Sequence, residues 1–387
     1  MHYFTSVTSN YIPKARVLAT SVKTHNPDAV FSLMLADQLP EDVNLADEPF
    51  DEVFFLEDLE ITSLEAWIFK HSLVELCTAV KGPTFLKIFQ TTGADKVVYL
   101  DPDIVVLNNL DELSRIIDTY SIVLTPHQVE PETTRDAIVD NEICSLKHGV
   151  YNLGFLAIRR SSEGLRFLNW WTDRLLEFCY DDIPNGLFTD QRWVDLAPAF
   201  FDVHILRDKT YNVATWNLTH RHVTSGKDDR LEIDGAPVKF FHFSGFDSGD
   251  QEIMLKKYAD GKNALFRLRE WYVKALKRAG QDELGRLACI HSFYSNGESI
   301  TDNARRLFRS RIDLMEAFNT PSVVSEDKNC YYWWFKENGT GEFCEVPGYL
   351  TEGDRVLLKI KDSYLWKVAR KSLQLKKVVK RLLGVAG

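Results

Sequence analysis

Over the first 160 residues, short apolar runs alternate with stretches of helical spacing, and this alternation restricts the fold more than any other feature. Tyr3–Val7, Phe31–Leu35, Val53–Phe55 and Val97–Leu100 read as strands. Between them, Pro13–Thr24 carries Val17, Leu18 and Val22 at helical spacing. Trp67–Val80 reads as one helix stopped by Lys81-Gly82-Pro83, with a second helix over Thr84–Thr91. Such alternation predicts an α/β domain with a largely parallel sheet. Further strands are expected over Ser121–Thr125, Gly154–Ile158 and Val238–Phe243, and a helix over Glu163–Phe178. From about Asp250 the pattern turns helical, over Gln251–Tyr258 and Phe266–Ala279, and a Trp/Tyr-rich segment follows. The expected division is an α/β domain over 1–250, a helical, aromatic-rich extension over 251–350 and a basic tail over 351–387.

Charge separates the tail from the rest. It holds ten Lys or Arg against three Asp or Glu, a surplus of seven positive charges, which leaves −17 on the remainder of a chain whose net is −10. An acidic body disfavours nucleic acid as a partner. In the tail, Leu365, Val368, Leu375, Val379 and Leu382 form an apolar stripe among lysines and arginines. A basic amphipathic helix of this kind suits an anionic membrane surface, or else packs on the acidic body. No apolar run approaches the ~20 residues needed to span a bilayer, and the N-terminus reads as a strand. The expectation is a cytoplasmic protein, peripheral on the inner face of the membrane. Six scattered cysteines without a C-x-x-C pair imply neither a zinc site nor a disulfide framework.

One stretch, "DKVVYLDPDIVVLNN" (Asp95–Asn109), sets two aspartates at the end of a strand. Aspartate is depleted in strands, and a buried carboxylate is costly unless something cationic meets it. Asp101 and Asp103 either face water in a turn or hold a cation. In open α/β sheets, ligands collect beyond the carboxyl ends of the strands, and hard divalent ions prefer carboxylate oxygens.

"YLDPDIVVLNNLDEL" resembles the metal-binding segment of GT-A glycosyltransferases. Together with "YNLGFLAI" (Tyr151–Ile158), "TDQRWVD" (Thr189–Asp195), "KFFHFSG" (Lys239–Gly245) and the N-terminal "TSNYIPKARVLATSVKTHNP", it is similar to the family 8 retaining enzymes of the glycogenin and bacterial galactosyltransferase type. The likeness runs over about residues 1 to 250 and in the family's order. It implies a GT-A, Rossmann-like nucleotide-sugar-binding domain with a mainly helical C-terminal extension. It also implies a nucleotide-sugar donor, UDP-sugar favoured; the basic tail, with general analogy, adds the expectation of a glycan or lipid-linked acceptor in bacterial surface polysaccharide assembly.

The resemblance assigns residues as well. Asp101, Asp103 and His242 would ligate the ion, Mn²⁺ (or Mg²⁺), with the histidine favouring Mn²⁺. Thr8, Asn10 and Tyr11 would hold the nucleotide, Tyr11 by stacking on the base; many family members carry an acidic residue where Thr8 stands. Lys87 would reach the donor from the helix before the D-x-D strand. Asn152 and Gly154 would shape the sugar pocket, and Gly245 completes the nucleotide-sugar set. Asp190 and Gln191 would flank the reacting carbon. The family's Lys-Pro-Trp after the late histidine is replaced here by "HFSGFDSGDQEIMLKKY", which leaves Lys256 as a candidate for the distal phosphate. Two other readings compete. A sugar-phosphate nucleotidyltransferase expects a Gly-rich basic loop after the first strand, which "TSNYIPKAR" lacks. An inactive binding scaffold has no need of the D-x-D, Asp-Gln and histidine motifs.

Overall fold

A computed structural model of the chain describes residues 1–226, 230–259 and 263–339, so the basic tail and the last part of the expected extension lie outside the described residues. In the first half the order is β1 (His2–Val7), α1 (Ile12–His25), β2 (Val30–Leu35), β3 (Glu52–Phe55), α2 (Leu64–Phe69), α3 (Leu73–Ala79), α4 (Lys81–Thr91) and β4 (Lys96–Leu100). Then come β5 (Ile104–Val106), α5 (Asp111–Thr119), β6 (Ile122–Pro126), β7 (Tyr151–Arg159), α6 (Ser162–Phe178), β8 (His204–Ile205) and β9 (Phe240–His242). Seven of these strands form one sheet in the order β8-β6-β7-β4-β1-β2-β3. All its pairings are parallel except those of β7, which runs antiparallel to both β4 and β6.

Side chains that alternate along each strand build the two cores. Phe4, Val97, Tyr99, Leu156 and Ile158 face α3, α4 and α6, meeting Phe85, Phe89, Phe167 and Trp171. Their sequence neighbours Tyr3, Val98, Leu100, Phe155 and Ala157 face α1 and α5, meeting Ile12, Leu18, Leu113 and Ile117. A sheet covered on both faces needs apolar residues at successive positions, not every second one. This is why the strands read as continuous apolar runs.

Two expectations are corrected. The single helix over Trp67–Val80 is two helices, broken at Lys70–Ser72. Ser72 starts the second: its hydroxyl accepts from the Glu75 amide at 3.4 Å, and the Glu75 carboxylate accepts from the Ser72 amide at 2.7 Å. Lys81-Gly82-Pro83 does not stop a helix; it opens α4. Proline is tolerated in a first turn because amides there have no intrahelical acceptor to lose. Glycine is needed beside it: a Cβ on Gly82 would stand 2.6 Å from Thr172 Oγ1 on α6.

Beyond β9 the chain adds helices Asp250–Tyr258, Asn263–Arg278, Asp302–Ser310, Ile312–Ala317 and Tyr331–Asn338. The first two cover Phe241 and Phe243, with Phe243 and Tyr272 stacked at 3.9 Å. The later ones enclose Phe69 with Tyr294, Phe308 and Tyr331. Arg305 ties that layer to α2, donating to the Phe69 carbonyl at 2.9 Å and the His71 carbonyl at 2.7 Å. Met1–Gly339 forms one compact unit. Among the described residues no helix is long and apolar enough to cross a membrane.

Candidate active site

β4 ends at Leu100, and the chain turns through Asp101-Pro102-Asp103 into β5. The turn is fixed from both sides by backbone bonds: Asp101 N–H donates to Gly154 O at 2.8 Å, and Phe243 N–H donates to Asp103 O at 2.8 Å. β9 pairs antiparallel with β5 and sets His242 opposite Ile104. His242 Nε2 thereby lies 3.1 Å from Asp103 Oδ1 and 3.7 Å from Asp101 Oδ2. The three residues each offer one ligand atom, all within 4.8 Å of one another. Two carboxylate oxygens and an imidazole nitrogen form a donor set that fits a divalent ion of the Mn²⁺ class.

The electrostatics of the pair follow from its burial. Burial by itself lowers the His242 imidazole, but facing Asp103 and Asp101 raises it above its usual value. Burial raises the Asp103 carboxyl, and His242, with Lys14 behind it, brings it below its usual value. A divalent cation would take the place of the imidazolium proton in this balance.

The histidine is aimed by a residue that the sequence did not single out. Asn212, at φ +50°, donates from Nδ2 to Thr125 Oγ1 at 3.0 Å and to Asn152 Oδ1 at 2.9 Å. With its amide so oriented, Asn212 Oδ1 faces His242 Nδ1 at 3.2 Å and accepts its proton. Nε2 is left to face the aspartates, the usual way an outer partner selects the ligating nitrogen. Asn152 Oδ1 also accepts from the Gly154 amide at 3.2 Å.

Gly154 is required by space. A Cβ there would meet His242 Cε1 at 2.4 Å, Asn152 Oδ1 at 2.8 Å and Asp101 Oδ2 at 2.9 Å. Gly154→Ala should therefore displace His242 and Asp101 from their places in the ligand set. We expect divalent-ion affinity, read by calorimetry with Mn²⁺, to fall by about tenfold or more, the scale of losing the groups that orient a ligand. Unchanged affinity would show that the cluster does not bind the ion as a unit.

On the other side of Asp101 lies a second charged pair. Lys81 Nζ, almost fully buried, is 2.9 Å from Asp190 Oδ2, 3.0 Å from Leu153 O and 3.4 Å from Asp101 Oδ1. It lies 4.2 Å from the Tyr99 ring centre, and the Tyr99 hydroxyl donates to Asp101 Oδ1 at 2.7 Å. Burial lowers the Lys81 ammonium, and the two aspartates more than reverse this, so it stays charged. Burial raises the Asp190 carboxyl, and Lys81 offsets only part of that. Thr189, at φ +45°, donates to Asp190 Oδ1 at 3.1 Å. Gln191 is fixed through both amide atoms, with Oε1 accepting from Leu153 N–H at 3.0 Å and Nε2 donating to His148 O at 3.1 Å. Gly149 (φ +132°) makes room for it.

Thr8, Asn10 and Tyr11 follow β1 in a short 3-10 turn, where Thr8 Oγ1 donates to Asn10 Oδ1 at 2.7 Å. The Tyr11 hydroxyl donates to Asp247, in the loop after β9 that Gly245 opens at φ +74°. The structure thus gathers Asp101, Asp103, His242, Asp190, Gln191, Asn152 and Gly154 at the carboxyl end of the central strands, with the Thr8–Tyr11 turn at the end of neighbouring β1. Lys87 is not brought to them. It lies 3.5 Å from Glu60 and lines a separate groove of about 410 Å³ with Asp58, Ile61 and Pro83. Lys81 and Lys87 share α4, and six residues turn a helix through roughly 240°, so only one of them can face Asp101. Lys256 is exposed and pairs with Glu252 at 2.7 Å.

The family model for glycosyl transferase family 8 matches residues 2–246. YfnD of Bacillus subtilis (strain 168) is 27% identical over 255 residues, covering 63% of this chain and 78% of its own. YfnF of the same organism is 28% identical over 183 residues, 44% of this chain and 57% of its own. Among solved structures, galactosyltransferase LgtC in complex with donor and acceptor sugar analogs is 20% identical, with a TM-score of 0.40 over 63% of this chain and 87% of that one. Mouse xyloside xylosyltransferase 1 in its apo form is 17% identical, with a TM-score of 0.38 over 63% and 97%. With more than half its length matched by the family model, the chain belongs to glycosyl transferase family 8 and is a glycosyltransferase.

Proposed function

We propose that the protein transfers a sugar from a nucleotide-sugar donor, UDP-sugar favoured, with retention of configuration, to a glycan or lipid-linked acceptor in bacterial surface polysaccharide assembly. The observation that carries the donor half is the meeting of two units at one sheet edge: the Asp101, Asp103 and His242 donor set, and the buried Lys81–Asp190 pair beside it. A divalent ion held by the first unit would supply charge neutralisation for a diphosphate leaving group.

The chain's own residues do the rest. Lys81 holds one oxygen of Asp190 and Thr189 holds the other, so the carboxylate has one orientation in which to accept from sugar hydroxyls. Gln191 presents an amide whose oxygen has a second lone pair beyond its bond to Leu153 N–H; in this reading that lone pair meets the positive charge that develops on the reacting carbon. An amide oxygen is a poor nucleophile, so this reading has the acceptor attack from the face that the leaving group vacates. No covalent sugar–protein intermediate is needed.

The test is a screen of nucleotide sugars for turnover with and without Mn²⁺, followed by NMR of the product's anomeric proton. An α-donor should yield an α-linked product, and only with the ion present. A β-linked product would call for a carboxylate general base and overturn the roles given to Asp190 and Gln191.

A further inference from the structure

Two buried lysines flank the metal cluster, and Lys81 accounts for the sugar side. The other, Lys14, stands on the first turn of α1, three residues after Tyr11. Its side chain is 3% exposed, where an ammonium is costly unless an anion meets it. The anion is Asp247, whose Oδ2 lies 2.5 Å from Lys14 Nζ. That same oxygen accepts the Tyr11 hydroxyl, and Lys14 Nζ lies 4.1 Å from the Tyr11 ring centre. Lys14 therefore stands beside the ring assigned to the base, and its partner Asp247 lies in the loop that follows His242 of the ligand set. The phosphates of a nucleoside diphosphate must run from that ring to the ion. Asp247 is half-exposed, on a loop bounded by Gly245 at φ +74° and Gly249 at φ +85°.

We propose that Lys14 is the phosphate-binding cation of the donor site, and that Asp247 is the carboxylate that pairs with it until a nucleoside diphosphate takes its place. This rests on the donor-site reading above. The exchange swaps one charge-assisted bond for another of the same kind. The Tyr11 hydroxyl stays on Asp247 throughout, which keeps the ring aimed.

Calorimetric titration of the full chain with UDP, GDP and ADP, each with Mn²⁺, tests the exchange. Lys14→Met keeps the buried stem and should weaken the preferred diphosphate by about tenfold or more, the scale of one hydrogen bond to a charged group. Asp247→Asn keeps an acceptor for Tyr11 but removes the competing charge, so it should bind severalfold tighter. If Lys14→Met binds like the wild type, or if Asp247→Asn does not tighten binding, the pair is a structural ion pair and the inference falls. The donor-site reading is judged separately: it fails if the wild type binds none of the three, or if Asp103→Ala binds as the wild type does. Melting curves of the variants accompany the titrations. Should Lys14→Met not fold, the sign of the Asp247→Asn effect, on a half-exposed loop, still decides.

Discussion

Replacing Asp103 with alanine is expected to lower metal-dependent turnover by roughly a thousandfold or more. In the proposed reaction, several kcal/mol of charge stabilisation on the leaving phosphate would depend on the ion, and each ~1.4 kcal/mol is a factor of ten. Asp103 contributes the oxygen 3.1 Å from His242 Nε2. Without it, Asp101 and His242 remain as two ligands on one side of an open position. The backbone of the turn does not depend on the side chain: Asp103 O still accepts from Phe243 N–H, and β5 still pairs with β9. Steady-state rates across a Mn²⁺ titration, with circular dichroism and melting curves alongside, separate loss of the ion from loss of the fold. Near-normal turnover in a folded variant would reduce Asp101-Pro102-Asp103 to a turn.

The second large effect is expected at Lys81. Lys81→Met leaves Asp190 buried without its counter-charge and withdraws a donor from Leu153 O. Breaking a buried pair by removing one partner costs about 3–5 kcal/mol. Turnover should fall too, because Asp190 loses its orientation. The pH dependence has a definite sign. The Asp190 carboxyl already stands above its usual range because burial raises it and Lys81 offsets only part. Without Lys81 the rise is larger, so the folded state binds that proton more tightly than the unfolded state. Stability lost to the substitution is then regained as pH falls through the raised value toward the ordinary carboxylate range of about 4. Urea denaturation at pH 7 and pH 5 should show the gap to wild type narrowing at the lower pH. Lys87→Met, whose partner Glu60 is exposed, serves as the control and should cost about 1 kcal/mol or less. Equal losses at the two lysines would contradict the assignment.

The strands and helices of the first half were legible because a sheet covered on both faces writes continuous apolar runs into the sequence. The D-x-D was legible because two aspartates interrupt such a run. The break before α3 was also present, as Ser72-Leu73-Val74-Glu75, a capping box in plain sequence that the apolar spacing of Trp67–Val80 concealed. Lys81 was hidden by reading Gly82-Pro83 as a stop. The same dipeptide is a start when the proline falls in the first turn. The family resemblance then favoured Lys87, although helical phase sends it to another face. Asn212 left no local signal. Its role comes from β6, β7 and β9 converging on one amide, and only the tertiary fold brings Thr125, Asn152 and His242 together.

The aromatic layers beyond β9 bear on where the protein can be cut. Likeness to the family stops at residue 246, while the compact unit runs to Gly339. A fragment ended at the family limit would strip Tyr272 from Phe243, and Phe308 and Tyr331 from Phe69. It would also leave the Phe69 and His71 carbonyls without Arg305. Bare aromatic surface beside unmet backbone acceptors invites self-association. The family match and the compact unit thus end some ninety residues apart. Expression of fragments ended after residue 246 and after Gly339 would show the difference as yield of soluble protein.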